Sequence, residues 1–525
     1  MGLVQTVKKW FYKGGAAIGM VEKLQLITDH PKISADPEEY RRIEDSMRLY
    51  SGKYDKISYL NSNKKVVERD YITLNMIKIV TETIASLIFN EQCEITVAGK
   101  KKIVDGKEIE EESKADIFIQ HVMEHNDFKK NFSKYLEPML ASGGLVARPY
   151  VDTSNYEIEF SWGQAPAFYP LRSNTNNISE CALATKTSKS EGDKTYYYTL
   201  LEFHEWRNDG VYTITNELYR SEQQNEVGVK VSLKDIYPDL PKQSEFKDLS
   251  RPQFAYLKPA GFNNINPYSP LGLGVCDNCK STLKQINDTF DQFNWEIQMG
   301  QRKVIVSDHF LNTSVNELGG RPTQTFDDKT NVFVGLKVDQ DDMSIKDITH
   351  DIRTESYVGA INQFFKTLEM QTKLSVGTFS FDGASVKTAT EVVSENSMTY
   401  RTRNSHIIEV EKFIKELIVS VFELASKTVG KDGKHLYDGE IPTFEEIGID
   451  FDDGIFVDKN QQLDYYSKVK SSKFMPDIEI MQRLFKIPEE TAIEWSKRIS
   501  EEELQNNPDH AETIAAVSML GPEEV

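Results

Sequence analysis

The longest uninterrupted helical signal in the chain covers residues 388–428, and no other feature constrains the fold as strongly. Its later apolar residues, Ile407, Val410, Ile414, Leu417, Val421 and Leu424, step by three and four, which places them on one helix face. At 1.5 Å per residue such a helix is on the order of 60 Å long. Helices of that length belong to coiled coils, membrane spans or elongated assemblies, and the charges along this one exclude the membrane. Its start is specified by a capping box. Thr388 has the place to accept the N–H three residues on, and Glu391 the place to reach back to the cap. The loop before it, residues 375–387, sets Phe379 and Phe381 among Gly377, Gly383 and small polar residues. A buried loop strands its backbone polar groups, and an exposed one leaves its rings in water.

Two shorter seams precede that loop. Leu283, Ile286, Phe290, Phe293 and Ile297 form one, and Val358, Ile361, Phe365 and Leu368 the other, each a narrow heptad-like stripe rather than a broad core face. Between them, residues 302–311 and 331–338 read as short strands, with a turn at 319–322. One helix therefore leads out to a small β unit and another leads back.

The first half mixes helix and sheet. Residues 75–90 carry Ile77, Val80, Ile84 and Leu87 on a helix face. Residues 195–206 and 210–220 are aromatic and β-branched, joined through Asn208-Asp209-Gly210 as a hairpin, and 156–162 alternate in the same way. Residues 186–194 read as a polar loop between strands. Past the long helix, 449–458 read as a strand with its acids outward, and 461–470, 476–485 and 488–498 as helices. No Lys or Arg follows Arg498, so the tail is acidic. The fold class is α+β.

The formal charge of −20 argues against a protein that grips DNA, because tight non-specific binding needs Lys and Arg to displace counterions. It leaves room for one that lets DNA pass. Four cysteines in 525 residues argue against a disulfide scaffold, and Cys276-x-x-Cys279 has no second pair to complete a zinc site. No apolar run approaches the roughly 20 residues that a membrane span needs. The start, residues 1–6, fits the loose N-myristoylation pattern and reads more simply as an amphipathic surface helix. Nine scattered histidines form no H-E-x-x-H, and Walker, nucleophile-elbow and dinucleotide motifs are missing. Asp450, Asp452 and Asp453 fail the calcium-loop spacing, since Gly454 falls at the fifth position. A metal-dependent nuclease built on those three acids is the remaining catalytic alternative. Otherwise no enzyme, cofactor or metal site is expected.

The segment order resembles that of portal proteins of tailed bacteriophages, in particular those from phages of Gram-positive bacteria. The likeness is carried by ASLIFNE (85–91), SPLGLG (269–274), KTATEVVSENS (387–397) and IDFDDGIFVD (449–458), in that order, and extends over most of residues 70–500. It implies a portal-like fold assembled as a cyclic ring of about twelve copies. Residues 1–270 would be the α/β wing, 271–301 the first stem helix, 302–350 the small β clip and 351–374 the second stem helix. Residues 375–387 would be the tunnel loop, 388–458 the long helix with wing strands, and 459–525 the helical crown. Gly377, Phe379, Phe381, Gly383 and Lys387 would face the DNA. Arg302, Lys303, Phe310, Arg321 and Phe333 would lie in the docking surface of the clip, whose short strands would pair between neighbouring copies. The implied partners are the large terminase, a head-tail adaptor, the major capsid and scaffold proteins and double-stranded DNA, with no membrane. The implied place is the capsid vertex of the virion, and the host cytoplasm during assembly. An elongated structural or adaptor protein of the virion without a DNA channel is the alternative.

Overall fold

The computed structural model describes residues 23–60, 64–90, 92–97, 101–104, 107–110, 113–174, 177–300, 304–307, 312–314, 323–325, 333–336, 346–347, 351–380, 397–431, 433–451, 459–485, 492–493 and 495–499. The segment 1–6, the turn at 319–322, Thr388, Glu391, Asp452, Asp453 and the tail beyond 500 lie outside them. The chain divides into two compact units, 1–386 with 395–451, and 387–394 with 452–525.

The first unit begins with β1 (Lys23–Leu24) and α1 (Pro37–Tyr50). Asp36 starts α1 by accepting the Glu38 N–H at 3.0 Å, and Pro37 supplies a preset φ at the first helical position. The hairpin β2 (Ile57–Leu60) and β3 (Val66–Arg69) leads to α2 (Met76–Ile88). Ile77, Val80 and Ile84 are buried as the spacing predicts; Leu87 is only half-buried, because the stripe drifts on to Ile88 and Phe89. After β4 (Glu94–Val97) and the β5 (Lys101–Val104)/β6 (Lys107–Glu110) hairpin come α3 (Lys114–His125) and α4 (Phe128–Ser142). Gly143 ends α4 at φ +93°, a left-handed cap that suits glycine.

Strands β7 (Leu145–Val151) and β8 (Ile158–Gln164) form one sheet with β15 (Ala255–Leu257). A larger antiparallel sheet is built from β1, β9 (Phe168–Ser173), β10 (Ile178–Glu191), β11 (Lys194–Trp206), β12 (Tyr212–Ser221), β13 (Gly228–Val231) and β14 (Gln243–Phe246). The expected hairpin is present, with Trp206 opposite Tyr212. The expected loop at 186–194 is not. Lys186 pairs with Thr199 and Glu191 with Lys194, so β10 and β11 run on to a tight turn at Gly192. The sequence there is polar because the far end of this ribbon is exposed.

Helices α5 (Lys280–Met299) and α6 (Thr354–Gln371) pack on each other and frame five short strands. Of these, β16 (Val304–Ser307) pairs parallel with β19 (Phe333–Leu336) and antiparallel with β20 (Lys346–Asp347). The other two, β17 (Asn312–Ser314) and β18 (Thr323–Thr325), form a hairpin. These pairings lie within one chain.

The described part of the long helix is α7 (Ser397–Lys427), 31 residues or about 46 Å. Residues 417–425 are buried all round, so its C-terminal half passes through the main core. There Phe132 lies parallel to Phe413 with centroids 5.7 Å apart and edge-on to Phe89 at 4.8 Å. Strand β21 (Ile447–Asp450) returns to pair with β4. Ile447 is buried and Asp450 exposed, in keeping with a strand whose acid faces outward. The second unit contains α8 (Lys459–Ser471) and α9 (Asp477–Phe485).

The SPLGLG stretch joins two of these regions backbone to backbone. A Cβ on Gly272 would stand 2.4 Å from the Gly143 carbonyl oxygen, and one on Gly274 would stand 2.1 Å from that of Ala141. Only glycine fits either place. Beside it, Arg42 pairs with Asp277 and, at 3.1 Å, with Glu39, while Ser46 Oγ donates to Asp277 at 2.6 Å.

Candidate functional site

The chain leaves α6 through a helix-ending turn that its own sequence specifies poorly. Lys373 adopts φ +58°, its N–H bonds to Met370 O (3.2 Å), and the Leu374 N–H reaches Glu369 O at 2.8 Å. This is a Schellman motif with lysine where glycine is usual, held by the fully buried Leu374. The next residues are stitched to the long helix. Ser375 N–H donates to Thr399 Oγ1 (2.9 Å), the two hydroxyls are 3.0 Å apart, and Thr402 Oγ1 donates to Lys373 O at 2.7 Å. The chain between Ser375 and Thr399 therefore leaves and returns through a single neck.

Inside this neck sits Glu369, with no exposed surface. Its Oε1 accepts the backbone N–H groups of Phe379 (2.5 Å) and Ser380 (2.7 Å). Its Oε2 accepts the Gly377 N–H (3.2 Å) and the Ser380 hydroxyl (3.0 Å). Gly377, at φ +92°, has open space around it. Phe379 is half-buried against the main core.

Of the expected loop residues, the structure therefore brings Gly377 and Phe379 together around Glu369. Phe381, Gly383 and Lys387 lie outside the described residues. So do Arg302, Lys303, Phe310 and Arg321 of the expected docking surface, and Phe333 is described only as the first backbone position of β19. Sequence reasoning missed Glu369, Ser375 and Thr399. The available signal was an acid next to Leu368 on the apolar face of α6.

Polar groups on α5 tie that helix to the β3 region and to α6. Asp291 receives both Arg69 guanidinium nitrogens at 2.6 Å and the Ile72 N–H at 3.2 Å, and Arg69 also covers the Trp295 ring at 4.7 Å. Burial alone would raise the Asp291 carboxyl, but these bonds bring it below the usual range. At the other end of the pair, hydrogen bonds from the Arg353 side chain and backbone and from Tyr357 hold the Glu296 carboxyl down to about 2. On α7, His406 accepts the Ala260 N–H at 3.1 Å, and burial pushes its imidazole down to about 4.

Among the described residues no three His, Cys, Asp or Glu side chains converge as metal ligands, and no helix is long and apolar enough to cross a membrane. A helix pair around short strands, a necked loop and a long helix thus follow one another through one core. A profile of the family described as phage portal protein, SPP1 Gp6-like, matches residues 29–508. The chain belongs to that family. No curated protein matches it. It is thus a phage portal protein of the SPP1 Gp6-like type, a structural family of the capsid vertex.

Proposed function

We propose that this portal protein assembles as a ring of about twelve copies at one capsid vertex and forms the channel through which double-stranded DNA is packaged, retained and ejected. The observation that carries the reading is the chain order at the neck. Helix α6 delivers a loop that both leaves and returns beside Ser375 and Thr399, as a projection from a rigid base would. Helices α5 and α6 are the stem, 302–350 the clip, 375–387 the tunnel loop, and 459–525 the crown. Phe379 anchors the loop against the core, while Phe381, Gly383 and Lys387 approach DNA. Lys387 would supply a ring of positive charge suited to transient phosphate contact in an otherwise acidic tube. Arg302, Lys303, Phe310, Arg321 and Phe333 belong to the face that meets the large terminase and later a head-tail adaptor. Capsid and scaffold proteins surround the ring, which forms in the host cytoplasm before entering the virion.

Negative-stain images of purified protein should show rings with an axial hole, and a strictly monomeric sedimentation profile across salt and concentration overturns the assembly. Phe381→Ser with Lys387→Ala should leave the melting temperature unchanged and lower DNA packaging; wild-type packaging removes the loop's role. Deleting residues 312–328 should leave rings intact and abolish adaptor pull-down.

A further inference from the structure

We infer that Glu369 is a positioning residue for the loop: its carboxylate, wrapped by four donors from residues 377–380, fixes the direction in which the loop leaves the subunit. The inference rests on the loop reading above and adds a residue outside the loop that governs it.

A carboxylate removed from water is costly unless its oxygens are hydrogen-bonded. Glu369 is fully buried, and its partners among the described residues are all donors of the loop itself: three backbone N–H groups and the Ser380 hydroxyl. Helix α6 gains nothing from it, because an anion in the last turn faces the negative end of the helix dipole. An apolar side chain would continue the Phe365–Leu368 face at lower cost. What Glu369 supplies instead is geometry. Two oxygens with fixed separation receive Phe379 and Ser380 on one side and Gly377 on the other, so the backbone can close on them in one way only. The successive N–H groups make a nest of the kind that binds anions, here filled by a side chain of the preceding helix. Gly377 makes the turn possible because its φ of +92° lets the chain after it fold back so that residues 379 and 380 also reach Glu369. These four donors lie in the same chain as Glu369, so the clasp as described needs no neighbour.

Glu369→Gln tests this with a side chain of the same size. Its remaining carbonyl oxygen can serve Phe379 and Ser380, but its amide N–H₂ then meets the Gly377 N–H donor to donor. Hydrogen exchange of the 374–380 peptide should accelerate on the order of 10–100-fold in Glu369→Gln, in full-length subunits and in rings alike, because charge-assisted bonds are lost. Peptides from the first turns of α6 should not change, rings should form, and packaging should fall about tenfold. Unchanged exchange at 374–380 overturns the clasp and leaves the channel reading standing. Accelerated exchange with wild-type packaging overturns the role of the loop on DNA while the clasp geometry stands. Should Glu369→Gln fail to fold, Ser380→Ala removes the hydroxyl that donates to Glu369 and also accepts the Gly377 N–H at 3.1 Å, and leaves the backbone donors to Glu369; its 374–380 exchange should rise several-fold, and an unchanged rate overturns the inference.

Discussion

The two ends of the α5–α6 pair are built to opposite rules. At the inner end Leu283, Ile286, Phe365 and Leu368 are buried, and Asp291 and Glu369 have their oxygens filled from the same chain. At the outer end Ile297, Met299 and Val358 are 44–50% exposed, and the polar contact there is a surface cluster of Glu296, Arg353 and Tyr357. Both ends carry the same heptad-like seam. The inner end is finished within one subunit, and the outer end carries an apolar stripe that the described residues leave exposed. A seam alone therefore does not say who buries it. Under the proposed ring, the outer stripe is where a neighbour gains most.

Five residues can break the contrast between the two ends. Leu368→Ala removes a fully buried side chain and should cost about 4 kcal/mol in subunit stability, seen as a lower denaturant midpoint. Acid should reach the inner junction before the outer one. The His406 pKa is depressed in the fold, so the unfolded chain takes up the proton first. Stability is then full above pH about 6.5, falls as the pH drops and levels near 4, by up to about 3 kcal/mol; His406→Gln should flatten this slope. The lowered Glu296 carboxyl contributes stability that is present above its unfolded pKa and lost as pH falls from about 4.5 toward 2. Asp291→Asn leaves Arg69 without its charge partner and should cost about 2 kcal/mol, measured by thermal melting. Val358→Ser at the outer end should change subunit stability by less than about 0.5 kcal/mol yet weaken assembly, measured as the concentration at which rings dissociate. Equal effects of Leu368→Ala and Val358→Ser on the isolated subunit would erase the distinction.

The elements that could be read from the sequence are those with one strong period. The α2 face, the β11–β12 hairpin and both seams follow from apolar spacing, because each meets a single dominant surface. The neck could not be read this way. Ser375 and Thr399 are 24 residues apart and look like ordinary loop hydroxyls until the fold brings them to 3.0 Å. Glu369 reads as one more solvated acid in a chain with 82 of them, and only its neighbours on the helix face mark it as buried. The 186–194 ribbon was hidden for the opposite reason. Its residues are polar on both faces, so the alternation that marks a half-buried strand is absent although the pairing is regular.

The glycine contact between 272–274 and the end of α4 carries a mechanical consequence. Where elements meet through side chains, a load is first absorbed by rotamers, which give before the backbone moves. Gly272 and Gly274 rest directly on the carbonyls of Gly143 and Ala141, and the Val275 N–H bonds to Leu140 O at 2.8 Å. At these two glycines no side chain of their own stands between the backbones. A torque applied along α5 would therefore pass to α4 through backbone contact rather than through rotamers, as a stiffer coupling than side-chain packing provides.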